Sequence, residues 1–72
     1  MTKIEVIRKA SKRPCRYTKN RYAVCGPYSS GKVAMSDGER IFGALRKAGY
    51  KIRWGQFRSP RIGGKHYNRI KI

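Results

Sequence analysis

Apolar residues recur at three- and four-residue spacing through Ile41, Phe42, Ala44, Leu45 and Ala48, with Arg40 and Lys47 turned away. That is the period of an amphipathic helix. Ser36 offers a hydroxyl to an orphan amide at its start, Glu39 three residues on completes a capping box, and Gly49 supplies the stop. Asp37 and Glu39 lie where the helix dipole favours negative charge, and Arg46 and Lys47 where it favours positive charge. The pattern predicts a helix of about three turns, capped by Ser36 and ended at Gly49.

Directly afterwards Tyr50, Ile52 and Trp54 alternate with Lys51 and Arg53, the period of a strand with one apolar and one basic face. Gly55 marks a bulge or a bend, and Phe57 closes the apolar face. Near the start, Ile4 and Val6 share a face within residues 3–8, which predicts a first strand. Residues 9–16 hold Lys9, Lys12, Arg13 and Arg16 around Pro14 without apolar period, so they read as a basic loop or the start of an edge strand. Strand character returns over residues 17–25, with Tyr22 and Val24 on one face and Ala23 and Cys25 on the other. Gly26, Pro27, Ser29, Ser30 and Gly31 mark a turn, and residues 32–35 a short strand leading into the helix. Residues 58–65 form a loop punctuated by Pro60 and the pair Gly63 and Gly64. In residues 66–72, Asn68, Ile70 and Ile72 share one face while Tyr67, Arg69 and Lys71 share the other.

The expected fold is therefore α+β: a single domain, residues 1–72, with a small antiparallel sheet of four or five strands and one helix packed across it, in the order β-β-β-α-β-β. Its core should hold Ile4, Val6, Tyr22, Val24, Ile41, Phe42, Leu45, Ile52, Trp54 and Ile70.

Charge changes the picture from fold to partner. The chain carries 19 Lys and Arg against 3 Asp and Glu, a formal net charge of +16. Self-repulsion at that density opposes compaction unless a polyanion or salt neutralises it, so the partner is expected to be acidic. Five Tyr, two Phe and one Trp supply enough apolar surface for a folded domain. No apolar run approaches the ~20 residues needed to cross a bilayer, and the start of the chain has no secretory apolar stretch, which points to the cytoplasm and to no membrane. In a reducing compartment Cys15 and Cys25 read as free thiols rather than as a pair. His66 has no partner at metal-ligand spacing, so neither a metal nor a cofactor is expected.

Candidate chemistry is sparse. Residues 26–32 fit the letter of the phosphate-binding pattern G-x-x-x-x-G-K, but Val33 stands where the motif needs a hydroxyl, and the helix is expected to open several residues later. General acid-base work needs a shielded titratable pair, and two of the three carboxylates are assigned to the helix start. A Cys25–His66 pair is the remaining nucleophilic option, and a small buried thiol is the plainer reading. No enzyme is expected.

From Arg40 to the C-terminus there are ten Lys and Arg and no carboxylate. Cations spaced along a surface gain affinity for phosphates through counterion release. The sequence thus predicts a non-catalytic nucleic-acid-binding protein, with DNA, as duplex, ahead of RNA. Its contacts would come from Arg53, Arg58, Arg61, Lys65, Arg69 and Lys71 with Tyr67 between them, and from a second patch of Lys9, Lys12, Arg13 and Arg16. Lys51 and Arg53 on one strand beside Arg69 and Lys71 on the next would form a basic ribbon. Tyr17, Tyr28 and Tyr67 beside Arg16, Lys32 and Arg69 could instead stack unpaired bases. The alternative is a small basic inhibitor or adaptor, of a kind found in phages and mobile elements, docking on an acidic surface of a nucleic-acid-processing protein.

Overall fold

A computed structural model describes residues 2–72. It is α+β, with helices α1 (Lys3–Ala10) and α2 (Gly31–Lys47) packed on one face of an antiparallel sheet. The strands are β1 (Cys15–Tyr17), β2 (Tyr22–Tyr28), β3 (Phe57–Arg58), β4 (Arg61–Ile62) and β5 (Lys65–Lys71). They lie in the order β1-β2-β5-β3, with β4 also paired to β5. The class is the expected one, but the element order is not, because the chain opens with a helix.

Residues 3–10 form α1 instead of a strand. Ile4 and Val6 fit an alternating pattern, yet Ile4 and Ile7, and Val6 and Ala10, also stand three and four apart. A capping box decides between the two. The Thr2 hydroxyl accepts from the Glu5 amide at 3.3 Å, while the Glu5 carboxylate accepts from the Thr2 amide at 3.0 Å. Those bonds to Thr2 hold the Glu5 carboxyl below the usual carboxylate range.

Helix α2 starts earlier than expected, taking in residues 32–35, which are helix and not strand. Ser30, not Ser36, is its cap, and the Ser30 hydroxyl accepts from the Val33 amide at 3.2 Å. Ala34, Gly38, Ile41 and Leu45 continue the buried stripe upstream at helical spacing. The stop is the expected one. Gly49 has φ +94°, its amide donates to the Arg46 carbonyl, and the Tyr50 amide donates to the Leu45 carbonyl, which is the Schellman arrangement.

Residues 50–54 are not a strand. Ile52 is buried as expected, but the chain turns through a 3₁₀ segment (Trp54–Gln56) and joins the sheet only at Phe57. Trp54 is 51% exposed, with its ring stacked on Phe42 at 4.2 Å and tilted against Phe57. The tip of the last hairpin is a tight turn rather than a long loop. Gly63 and Gly64 have φ +59° and +78°, the left-handed pair a two-residue hairpin turn requires, so β4 and β5 are held in register.

In β2 the buried face is the opposite of the expected one. Ala23 and Cys25 are fully buried, while Tyr22 and Val24 are half-buried on the other side. The two inward positions of β2 lie under α2, whose Gly38 packs over Asn68 of β5 at a distance where a methyl would make ordinary van der Waals contact with the amide. Asn68 is buried and donates to the Ala34 carbonyl at 2.7 Å, fastening α2 to β5. Val6, Ile41, Leu45, Ile52 and Ile70 are core as expected, and Ile4 and Phe42 pack at its margin. Cys15 and Cys25, cross-strand partners, are joined by a disulfide, which corrects the expectation of free thiols. Among the described residues no helix is long and apolar enough to cross a membrane.

Candidate nucleic-acid interface

Both helices cover one face of the sheet, so the other face is open, and strand register decides what it displays. Arg16 pairs with Val24, Val24 with Arg69, and Arg69 with Arg58. Residues directly opposite one another share a face. Arg16, Val24, Arg69 and Arg58 therefore form one row across β1, β2, β5 and β3, roughly 14 Å from end to end at the usual strand spacing. Tyr22 pairs with Lys71 in the next row, and the Arg69 guanidinium lies 4.9 Å from the centre of the Tyr22 ring. Tyr67 and Lys65 occupy the same face by alternation along β5. No strand contains a carboxylate.

The three carboxylates lie elsewhere: Glu5 in the α1 cap, Glu39 exposed on α2, and Asp37 buried beneath the loop after α1.

Two shallow depressions flank the row. One is bounded by Pro14, Arg16, Val24, Pro27 and Tyr67. The other is bounded by Tyr22, Gln56, Arg58, Arg69 and Lys71. Hydrogen bonds hold the walls of the second. Arg58 donates to the Gly55 and Phe57 carbonyls at 2.9 and 2.8 Å, which anchors its guanidinium at the sheet edge. The Gln56 amide donates to the Lys71 carbonyl at 2.8 Å, tying the 3₁₀ turn to the end of β5.

The structure brings together some of the residues singled out in the sequence and separates others. Arg58, Lys65, Tyr67, Arg69 and Lys71 share the open face, joined by Arg16 from the other patch. Arg61 pairs with His66 and so belongs to the opposite parity, although it is exposed. Arg53 precedes the 3₁₀ turn and Lys51 lies outside the sheet, so the expected ribbon does not form. Its place beside Arg69 is taken by Arg58. The second patch is divided three ways. Lys9 borders the groove between the helices, Lys12 and Arg13 lie beside Ser36 and Arg40 of α2, and only Arg16 reaches the sheet.

Tyr28 is not a surface aromatic. It is buried, and its hydroxyl donates to Asp37. Asp37, read from the sequence as a helix-start charge, is 4% exposed and also accepts from the Ser11 hydroxyl at 2.9 Å and the Lys12 amide at 3.2 Å. This network clamps the loop after α1 onto α2 and so places Pro14 and Arg16. Burial, followed by the hydrogen bond to Asp37, raises the Tyr28 hydroxyl above its ordinary value near 10.0; bonds with Ser11 and Asn68 offset part of the rise. The sequence signal for the network was a lone Asp within a helix stripe.

Nor is the phosphate-loop pattern a loop. Gly26, Pro27 and Tyr28 are strand, and only Ser29 and Ser30 connect β2 to α2. The objection drawn from a late helix start fails, since α2 opens at Gly31, but the missing hydroxyl at Val33 stands. Cys25 is tied to Cys15, so it forms no thiol-imidazole pair with His66. Comparison with protein-family models, curated proteins and solved structures finds no match to this chain.

Proposed function

We propose that the protein binds nucleic acid without catalysis, through the open face of its sheet. The observation carrying this reading is the row Arg16, Arg69 and Arg58, extended by Lys71 and Lys65, on a face that has no carboxylate. Each cation there can neutralise a phosphate, and release of condensed counterions supplies the affinity. Tyr22 and Tyr67 interrupt the charge with aromatic surface, which a purely electrostatic docking site for an acidic protein does not need. Holding Arg58 by hydrogen bonds and Arg69 against the Tyr22 ring in advance lowers the ordering cost of binding. This reading centres the interface on the strands and leaves Arg53, Arg61, Lys9, Lys12 and Arg13 at its periphery.

The test is binding of nuclease-treated protein to duplex DNA, single-stranded DNA and RNA over a salt series. Five phosphate contacts give a slope of log affinity against log salt of about −3.5 to −4.5, with one ligand still held near physiological ionic strength. Weak binding that vanishes equally for all three at moderate salt would contradict the proposal and direct the search to an acidic protein.

A further inference from the structure

We infer that the ligand of this face is an unpaired strand whose bases stack in the two depressions. The inference rests on the nucleic-acid reading above and names the form of the polymer. The major groove of B-DNA, about 12 Å wide, admits one helix or a two-stranded ribbon. Here the long pair β2 and β5 has β1 on one side and β3 and β4 on the other, so no ribbon stands free to enter a groove.

The content of the depressions points the same way. A duplex laid across a flat face offers phosphates and sugars, which would leave the aromatic and apolar walls without a partner. Pro14, Val24, Pro27 and Tyr67 make an apolar recess with Arg16 at its edge, suited to the flat face of a base with a phosphate beside it. Tyr67 lies against β2 because position 26 is glycine: a methyl there would come within 2.7 Å of the ring. Gly26 also has φ +140°, so both space and backbone reserve the position for glycine. At the other end, the Arg69 guanidinium over Tyr22 presents a planar cation, flanked by Arg58 and Lys71, on which a second base can stack. Few groups on the face offer hydrogen bonds in a fixed pattern to base edges, so binding should tolerate sequence.

Wild-type protein would be titrated with a single strand of DNA, the same strand as RNA, its duplex, and an abasic strand with the same number of phosphates. The expected result is that intact strands bind about tenfold or more tightly than the abasic strand, because stacking needs bases. The duplex should bind more weakly than the intact strands, and the tighter of the DNA and RNA strands identifies the polymer. Joint replacement Tyr22→Leu and Tyr67→Leu should bring the ratio of intact-strand to abasic-strand affinity down to about one. Equal binding of intact and abasic strands by wild type would overturn the inference even if the double variant does not fold, and so would a preference for duplex. Either result leaves the phosphate-binding reading in place. Failure of all four ligands to bind near physiological salt would overturn that reading itself.

Discussion

Asp37→Ala is expected to destabilise the protein by about 2 to 4 kcal/mol, because it leaves the buried Tyr28 hydroxyl and the Lys12 amide without their acceptor. For a domain of this size that is a large part of the total and should lower the melting temperature by roughly 10 °C or more. Arg40 contributes little to this cost, since its guanidinium is 3.8 Å from the carboxylate and its side chain is half exposed. Calorimetric or circular-dichroism melts check the prediction, and a melting temperature equal to that of wild type would refute it. Tyr28→Phe removes one arm of the network and should cost less, about 1 kcal/mol. That variant also isolates the pH dependence. A hydroxyl whose pKa is raised on folding contributes stability that is complete below its unfolded value near 10.0 and is lost as pH rises through the folded value. Wild type should therefore lose stability more steeply than Tyr28→Phe in alkaline solution.

Leu45→Ala should cost about 2 to 5 kcal/mol, through lost transfer energy together with the cavity left behind. Leu45 is fully buried on the stripe of α2 that faces the core, one turn beyond Ile41. Its neighbours belong to elements fixed by other contacts: β5 is held to α2 by Asn68, and the end of α2 is closed at Gly49, so the cavity cannot readily collapse. Denaturant titration reads the loss as a lowered midpoint at unchanged slope. A Leu45→Ala protein as stable as the parent would contradict the placement of the helix.

Alternation in β5, the apolar face at Ile41 and Leu45, and the glycine stop at Gly49 were all legible because each rests on a local rule that the rest of the fold does not oppose. Three features were not. Ser30 and Ser36 are both competent caps, and only the packing of Ala34 and Gly38 against β5 selects the earlier one. Residues 3–8 satisfy two periods at once, and the bonds between Thr2 and Glu5 choose the helix. In β2, hydrophobicity assigned Tyr22 and Val24 to the core, whereas register with β5 and the bond between Cys15 and Cys25 turn Ala23 and Cys25 inward.

That reversal also decides the candidate site. The excess of cations was plain from composition, but which of them meet depends on register. The face inversion of β2 turned Tyr22 outward, and the late start of β3 set Arg58, not Arg53, beside Arg69. Tyr28 and Asp37 were misread together, since neither residue alone signals a partner nine positions away.

The most direct test of the open-face account compares two variants that remove the same charge from opposite sides of the molecule. One replaces Arg16, Arg58 and Arg69 by Gln; the other replaces Lys9, Lys32 and Lys47, all exposed on or beside the helices. Affinity for a single strand would be followed over a salt series for both. The sheet-face variant is expected to bind far more weakly at physiological ionic strength and to flatten the salt slope by about 2, as three lost phosphate contacts require, while the helix-face variant stays close to wild type. Equal losses in the two variants would show that affinity follows net charge alone, and would contradict the assignment of the interface to the sheet.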